Sequence, residues 1–162
     1  ATHHQFVACA KATKLAHEID AGMQIGMMLG DDALYPATCR PEDVFANTQR
    51  MQMSIYFYSD VLLRGEYPGY ALRYFKDHQI QIHAKEEELK LLKEHPADFL
   101  SFSYYFTRIV DASQPQPKEN PYLETSIWGW ATDPLGFRNS LNQYWDRYLC
   151  SYLHCGERTW CD

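Results

Sequence analysis

The sequence predicts a parallel α/β architecture. Two short apolar runs of strand length, Gln24–Leu29 (QIGMML) and Phe99–Ser103 (FLSFS), are separated by segments of helical period. Runs of that kind suit burial on both faces of a parallel sheet, and helices supply the crossovers. Hydrophobic residues make up 46% and charged residues 22% of the 162 positions, the balance of a globular domain with a sizeable core. No internal repeat is present.

Residues 3–18 read as a helix with Phe6, Val7, Ala10 and Leu15 on its apolar face. The first strand, Gln24–Leu29, is followed by Asp31 and Asp32 as turn residues. A second helix begins near Pro41-Glu42-Asp43, where a first-turn proline and acids favour initiation, and carries Val44, Phe45, Met51 and Ile55 inward. Tyr67-Pro68 opens a further helical stretch through Phe75. Lys85–Glu94 (KEEELKLLKE) reads as an exposed helix with Leu89 and Leu92 inward and Glu86 paired with Lys90. Pro96 ends it, and the strand at Phe99–Ser103 follows. Ser113–Asn120 has loop composition. Asp133 caps a last helix with Pro134 in its first turn, and Phe137, Leu141, Tyr144, Trp145 and Tyr148 recur on its inner face.

Several function classes are disfavoured. A net charge of -6 leaves no basic stripe to displace counterions from a nucleic acid. No apolar run approaches the roughly 20 residues that cross a bilayer, so no membrane partner is expected. The start of the chain lacks a basic region followed by an apolar core, the mark of a secretory signal. The five cysteines form an odd set, Cys9, Cys39, Cys150, Cys155 and Cys161, which does not read as a disulfide framework and points to the cytoplasm. No cofactor is implied. Aromatic content of 15%, with 12 Tyr and 4 Trp, suits carbohydrate stacking and an aromatic core equally.

Three words stand in order after the first helix: Asp60–Tyr70 (DVLLRGEYPGY), Asp98–Thr107 (DFLSFSYYFT) and Trp128–Arg138 (WGWATDPLGFR). Together they resemble glycoside hydrolase family 1, in particular its 6-phospho-β-glucosidase branch. Phe57-Tyr58-Ser59-Asp60-Val61 through Arg64-Gly65 and Tyr67-Pro68 is similar to F-x-D-V-x-x-R-G-x-Y-P. Leu100–Thr107 resembles L-G-F-S-Y-Y-x-T, and Trp128–Gly136 resembles W-G-W-x-I-D-P-x-G. Ser101 and Thr132 depart from the pattern, as does Gly30-Asp31-Asp32-Ala33. The resemblance runs from about His3 to Tyr148. It implies a partial (β/α)8 barrel, a middle third of the eight-stranded fold, with residues 1–148 as an incomplete TIM-barrel segment.

The family hydrolyses with retention, using two glutamates about 5–5.5 Å apart. The resemblance places the acid/base upstream of Ala1, and the nucleophile in an Ile-Val-Glu-Asn-Gly word just after Tyr148. Here the chain reads YLCSYLHCGERTWCD. Codons CAT TGT GGA GAA CGG ACT TGG TGC for His154–Cys161, read from the second base, give Ile-Val-Glu-Asn-Gly-Leu-Gly. Residues 149–162 are therefore expected to be an out-of-frame tail, in which Glu157 is not the nucleophile and the true codon overlaps Gly156. No catalytic residue is then expected in this chain.

The resemblance also implies substrate-binding roles. Tyr105 matches the tyrosine that hydrogen-bonds the nucleophile. Ser103 stands where the non-phosphorylated branch has asparagine, and Trp130 matches an aromatic on the aglycone side. As a residue alone, Trp130 reads equally as a loop anchor. The implied substrate is a phosphorylated β-glucoside or a β-glucoside, and the isolated segment is expected to be inactive and to self-associate. Two other readings stay open: a non-catalytic sugar-binding remnant, and a metal-binding tail of Cys150, His154, Cys155 and Cys161, whose spacing lacks the close cysteine pair that anchors zinc. His3-His4 is a poor bidentate pair and Asp31-Asp32 is more simply a turn, so no metal site is expected.

Overall fold

A computed structural model describes residues 1–148 and the strand backbone of 153–156. The elements are α1 (Thr2–Ile19), β1 (Gly26–Pro36), α2 (Pro41–Met51), a π-helical turn (Gln52–Tyr56), α3 (Phe57–Arg64), α4 (Gly69–Asp77), α5 (Glu86–Glu94), β2 (Phe99–Val110), β3 (Lys118–Glu119), α6 (Pro134–Tyr148) and β4 (Leu153–Gly156). Of the expected 149–162 tail only the backbone of 153–156 is described; Glu157 and the side chains of Cys150, His154, Cys155 and Cys161 lie outside the described residues.

β1 and β2 are parallel, from Gly26 opposite Phe99 to Pro36 opposite Val110. β4 runs parallel to the first half of β2 and β3 antiparallel to its second half. Both long strands exceed the lengths expected from apolar runs. Because the sheet continues past Leu29, Asp31 and Asp32 lie in β1 and form no turn: Asp31 pairs in register with Tyr104. Between Asp31 and Ala33 the register shifts, with β2 spending one extra residue. Burial alternates along β1, so Met27, Leu29 and Asp31 face the helices while Met28 is 68% exposed on the other face. The expectation of burial on both faces therefore fails for the described residues, whose helices cover one side only.

The core has two parts. Met27, Leu29, Leu100, Phe102, Ile55 and Tyr144 join the sheet to the π-helical turn and α6, while Phe6, Phe57, Val61, Ala71 and Leu92 join α1, α3, α4 and α5. Leu15, Val44, Phe45, Leu89 and Trp145, all expected inward, are exposed. The apolar arc of each helix is wider than the strip its described neighbours cover. The single long helix expected through Ile55 is interrupted where Ser54 donates its hydroxyl to the Arg50 carbonyl (2.8 Å), a back-bond that suits a π-type turn. In α5 the pair formed is Lys90–Glu94 (3.7 Å) and not Glu86–Lys90, and Glu88 reaches back to the Lys85 N–H as a cap (2.9 Å).

The Asp60–Gly65 word is a structural joint. Asp60 is fully buried and accepts Arg147 Nε (3.0 Å) and Nη2 (2.6 Å), Tyr70 Oη (2.6 Å) and Tyr148 Oη (3.0 Å), tying α3 to α4 and α6. Burial alone would raise its pKa, but Arg147 and the two phenols outweigh burial and hold the carboxyl below its ordinary value. Gly65 ends α3 at φ 71°, and a β-carbon there would strike the Leu92 carbonyl.

Candidate active-site rim

The C-terminal ends of parallel strands are where α/β sheets place their chemistry. Here that end is built on Asp133. Its Oδ1 accepts the Gly136 N–H (2.7 Å), capping α6, while its Oδ2 accepts Tyr35 Oη (2.8 Å) and Thr107 Oγ1 (3.0 Å). Tyr104 Oη donates to the Asp133 carbonyl (3.0 Å). Burial, and then the neighbouring Asp133, push the phenols of Tyr35 and Tyr104 well above their usual range. The start of α6 is thus locked to the ends of β1 and β2. Beside it Arg108 Nε donates to Asp32 Oδ1 (3.1 Å) and its Nη2 closes the ion pair with Oδ2, crossing from β2 to β1.

Tyr105 and Trp130 come together above this platform. Their rings meet edge to face with centroids 5.4 Å apart, and Phe106 lies 6.0 Å from Trp130 on the other side. The Trp130 loop is held by the Ser126 N–H to the Trp130 carbonyl (2.8 Å) and by the Thr125–Ala131 bridge, with Gly129 at φ 74° at its tip. Trp130 therefore anchors a loop while keeping 44% of its surface open, and Tyr105 keeps 46%. Ser103 precedes Tyr105 by two positions and pairs in register with Gly156 of β4. A cavity of about 330 Å³ opens between Phe106, Arg108, Glu119 and Trp130.

Chemically this rim offers an indole surface for a ring and a phenol with no hydrogen-bond partner among the described residues. The nearby carboxylates belong to the scaffold: Asp133 to the cap, Asp32 to Arg108, Asp31 to the helix side. Among the described residues no group of three or more His, Cys, Asp or Glu could hold a metal ion. His3 is used structurally, its Nδ1 hydrogen-bonded with Tyr67 Oη (2.9 Å) and its Nε2 with Glu88 (3.3 Å). Among the described residues no helix is long and apolar enough to cross a membrane. Asp133, Tyr35 and Thr107 were not predicted as a unit. The Asp133-Pro134 word signals a cap, but nothing in a sequence signals the two hydroxyls that arrive from 98 and 26 residues away.

The model of glycosyl hydrolase family 1 matches residues 1–157. An aryl-phospho-beta-D-glucosidase of Bacillus subtilis, BglH, is 43% identical over 161 residues, covering 91% of this chain and 34% of the relative. A phospho-cellobiase of Klebsiella oxytoca is 44% identical over 158 residues, with the same coverage of each chain. The chain thus spans about a third of the length of these curated relatives. Among solved structures, the beta-glucosidase from Thermotoga maritima in complex with castanospermine superposes with a TM-score of 0.78 over 93% of this chain and 34% of that one, at 21% identity. With its parallel β1, β2 and β4, the described part of the chain therefore forms part of a (β/α)8 barrel. On the family match and the identity of its relatives, this chain belongs to glycosyl hydrolase family 1.

Proposed function

We propose that this chain is part of a retaining glycosidase acting on 6-phospho-β-glucosides. The observation that carries this is the pairing of Tyr105 and Trp130 at the C-terminal end of β2, on the sheet face free of helices, next to the end of β4. In such an enzyme a carboxylate attacks the anomeric carbon as an acid protonates the departing oxygen, and water then releases the glycosyl group. Tyr105 donates its hydroxyl to the attacking carboxylate. Trp130 stacks on the aglycone, and Ser103 leaves room beside the glycone. The phosphorylated substrate is supported by the two phospho-glycoside hydrolases at 43% and 44% identity.

The residues 149–162 form, in this account, a displaced reading of the nucleophile strand. Supporting it, the backbone of β4 pairs in parallel with β2 from Leu153 opposite Leu100 to Gly156 opposite Ser103, the place of a following barrel strand. A polypeptide of residues 1–162 alone is then expected to turn nothing over. It also leaves one edge of β1 unpaired among the described residues, together with exposed Met28, and such an edge favours self-association. A cytoplasmic setting is supported by the free, exposed Cys9 and Cys39 and by a charged substrate that does not cross a bilayer unaided.

The test is release of nitrophenol from p-nitrophenyl β-glucoside 6-phosphate. The chain as it stands gives none. A longer polypeptide with the shifted-frame tail and the upstream strand gives turnover, and Tyr105→Phe in it lowers kcat on the order of 100-fold. Turnover by the unmodified chain, or full activity of the Tyr105→Phe protein, contradicts the proposal. Size-exclusion chromatography showing only monomer at high concentration removes the self-association.

A further inference from the structure

Of the buried carboxylates among the described residues, Asp31, Asp43, Asp60 and Asp133, only Asp31 has no hydrogen-bond partner on either oxygen. It is 4% exposed and sits on the helix side of β1, under α6. Neither of its oxygens has a hydrogen-bond partner among the described residues. The hydroxyls of Ser140 and Tyr144 on α6 approach it without closing a bond of normal geometry, and each favours the ionised form. Every other titratable group near enough to act on its charge is an acid: Tyr35 on β1, Tyr56 of the π-helical turn, Tyr104 on β2, Tyr144 on α6, and Asp32 from the opposite face of β1. The arginines of these elements are used elsewhere, Arg108 by Asp32 and Arg147 by Asp60, and Arg138 is exposed. A lone buried charge without a cation is costly, whereas the neutral acid carries a proton to donate.

We propose that the seat of α6 on the sheet is a proton-controlled contact: burial with no cation beside it keeps Asp31 neutral under the docked helix, against the smaller pull of the Ser140 and Tyr144 hydroxyls, and ionisation of the buried carboxyl loosens the helix. The proton leaves Asp31 Oδ to solvent as the helix lifts, and returns on docking. Burial raises this carboxyl from 3.8 to about 6, so the contact weakens as pH rises through that value. No step of the proposed hydrolysis is needed for this inference, and it stands or falls without it.

Amide hydrogen exchange over residues 136–148, followed between about pH 4.5 and 7.5 with intrinsic rates removed, reads the contact directly. The expected loss of protection across that range is about 30-fold, the one and a half tenfold steps from about pH 4.5 up to the folded value. Asp31→Asn, which keeps the shape and cannot ionise, holds the protection level across the range and melts above the parent chain at the upper pH. Histidine contacts are common to both proteins and cancel in the comparison. Asp31→Met removes the polar group altogether and gives the same flat profile. A parent profile that is already flat, an Asp31→Asn profile that falls like the parent's, or failure of both variants to fold would each overturn the proposal.

Discussion

Gly136 is the position where a single atom decides most. A β-carbon there would collide with the Asp133 carboxylate and with the hydroxyls of Tyr104 and Tyr35. Gly136→Ala is expected to cost about 1–3 kcal/mol, in spite of the helix propensity alanine brings, because three hydrogen-bonded groups must give way at once. Urea unfolding with an unchanged slope checks it. Asp60 is the second such position. Asp60→Ala leaves the Arg147 guanidinium half-buried and unpaired, for an expected loss of about 3–5 kcal/mol. A double-mutant cycle with Arg147→Ala then shows strong coupling, since the two single losses report one joint. Asp60, Arg64 and Gly65 are visible in the sequence as parts of one word. Arg147, from 87 residues further on, is not, because no local pattern announces a partner at that separation.

Among the elements, existence and order are legible and inner faces are less so. Proline starts at Pro41 and Pro134 and the acidic first turn of α2 mark their helices correctly, because these signals act within one turn. Strand length is missed at both β1 and β2. Polar Asp31, Asp32 and Arg108 break the apolar runs, yet register partners across the sheet keep the backbone extended. Helix faces fail for a different reason: a leucine at the right period is buried only if a neighbour is there to cover it. α5 makes this measurable. Leu92→Ala is expected to cost about 2–5 kcal/mol, and Leu89→Ala less than about 0.5 kcal/mol, although both sit in the same apolar pattern. Equal effects in thermal unfolding would show that Leu89 is buried in solution. The rim follows the same rule. Tyr105 and Trp130 are legible through their resemblance to family words, whereas the Asp133 platform beneath them needs three elements to be in place first.

At the scale of the whole molecule, charge sets opposite limits on stability. Asp60 has its folded pKa held below the ordinary 3.8, so its contribution is present above that value and is lost as pH falls through the folded one. Asp111, held near about 2 by Ser113 and Lys118, acts in the same direction. Asp31 acts in the other: raised to about 6, it contributes fully only below 3.8 and its contribution is lost as pH rises through about 6. Melting temperature is therefore expected to peak in the acid range, between about pH 4 and 6, and Asp31→Asn is expected to flatten the alkaline side of that peak. A family 1 segment of this kind retains its joints, its cap and an aromatic rim, and its nucleophile word is proposed to lie in a displaced frame over 149–162. The nucleotide sequence encoding positions 149–162 tests this most directly. The account predicts that the frame beginning one base later specifies Ile-Val-Glu-Asn-Gly across His154–Thr159, and codons unable to yield Glu-Asn-Gly in that frame would contradict it.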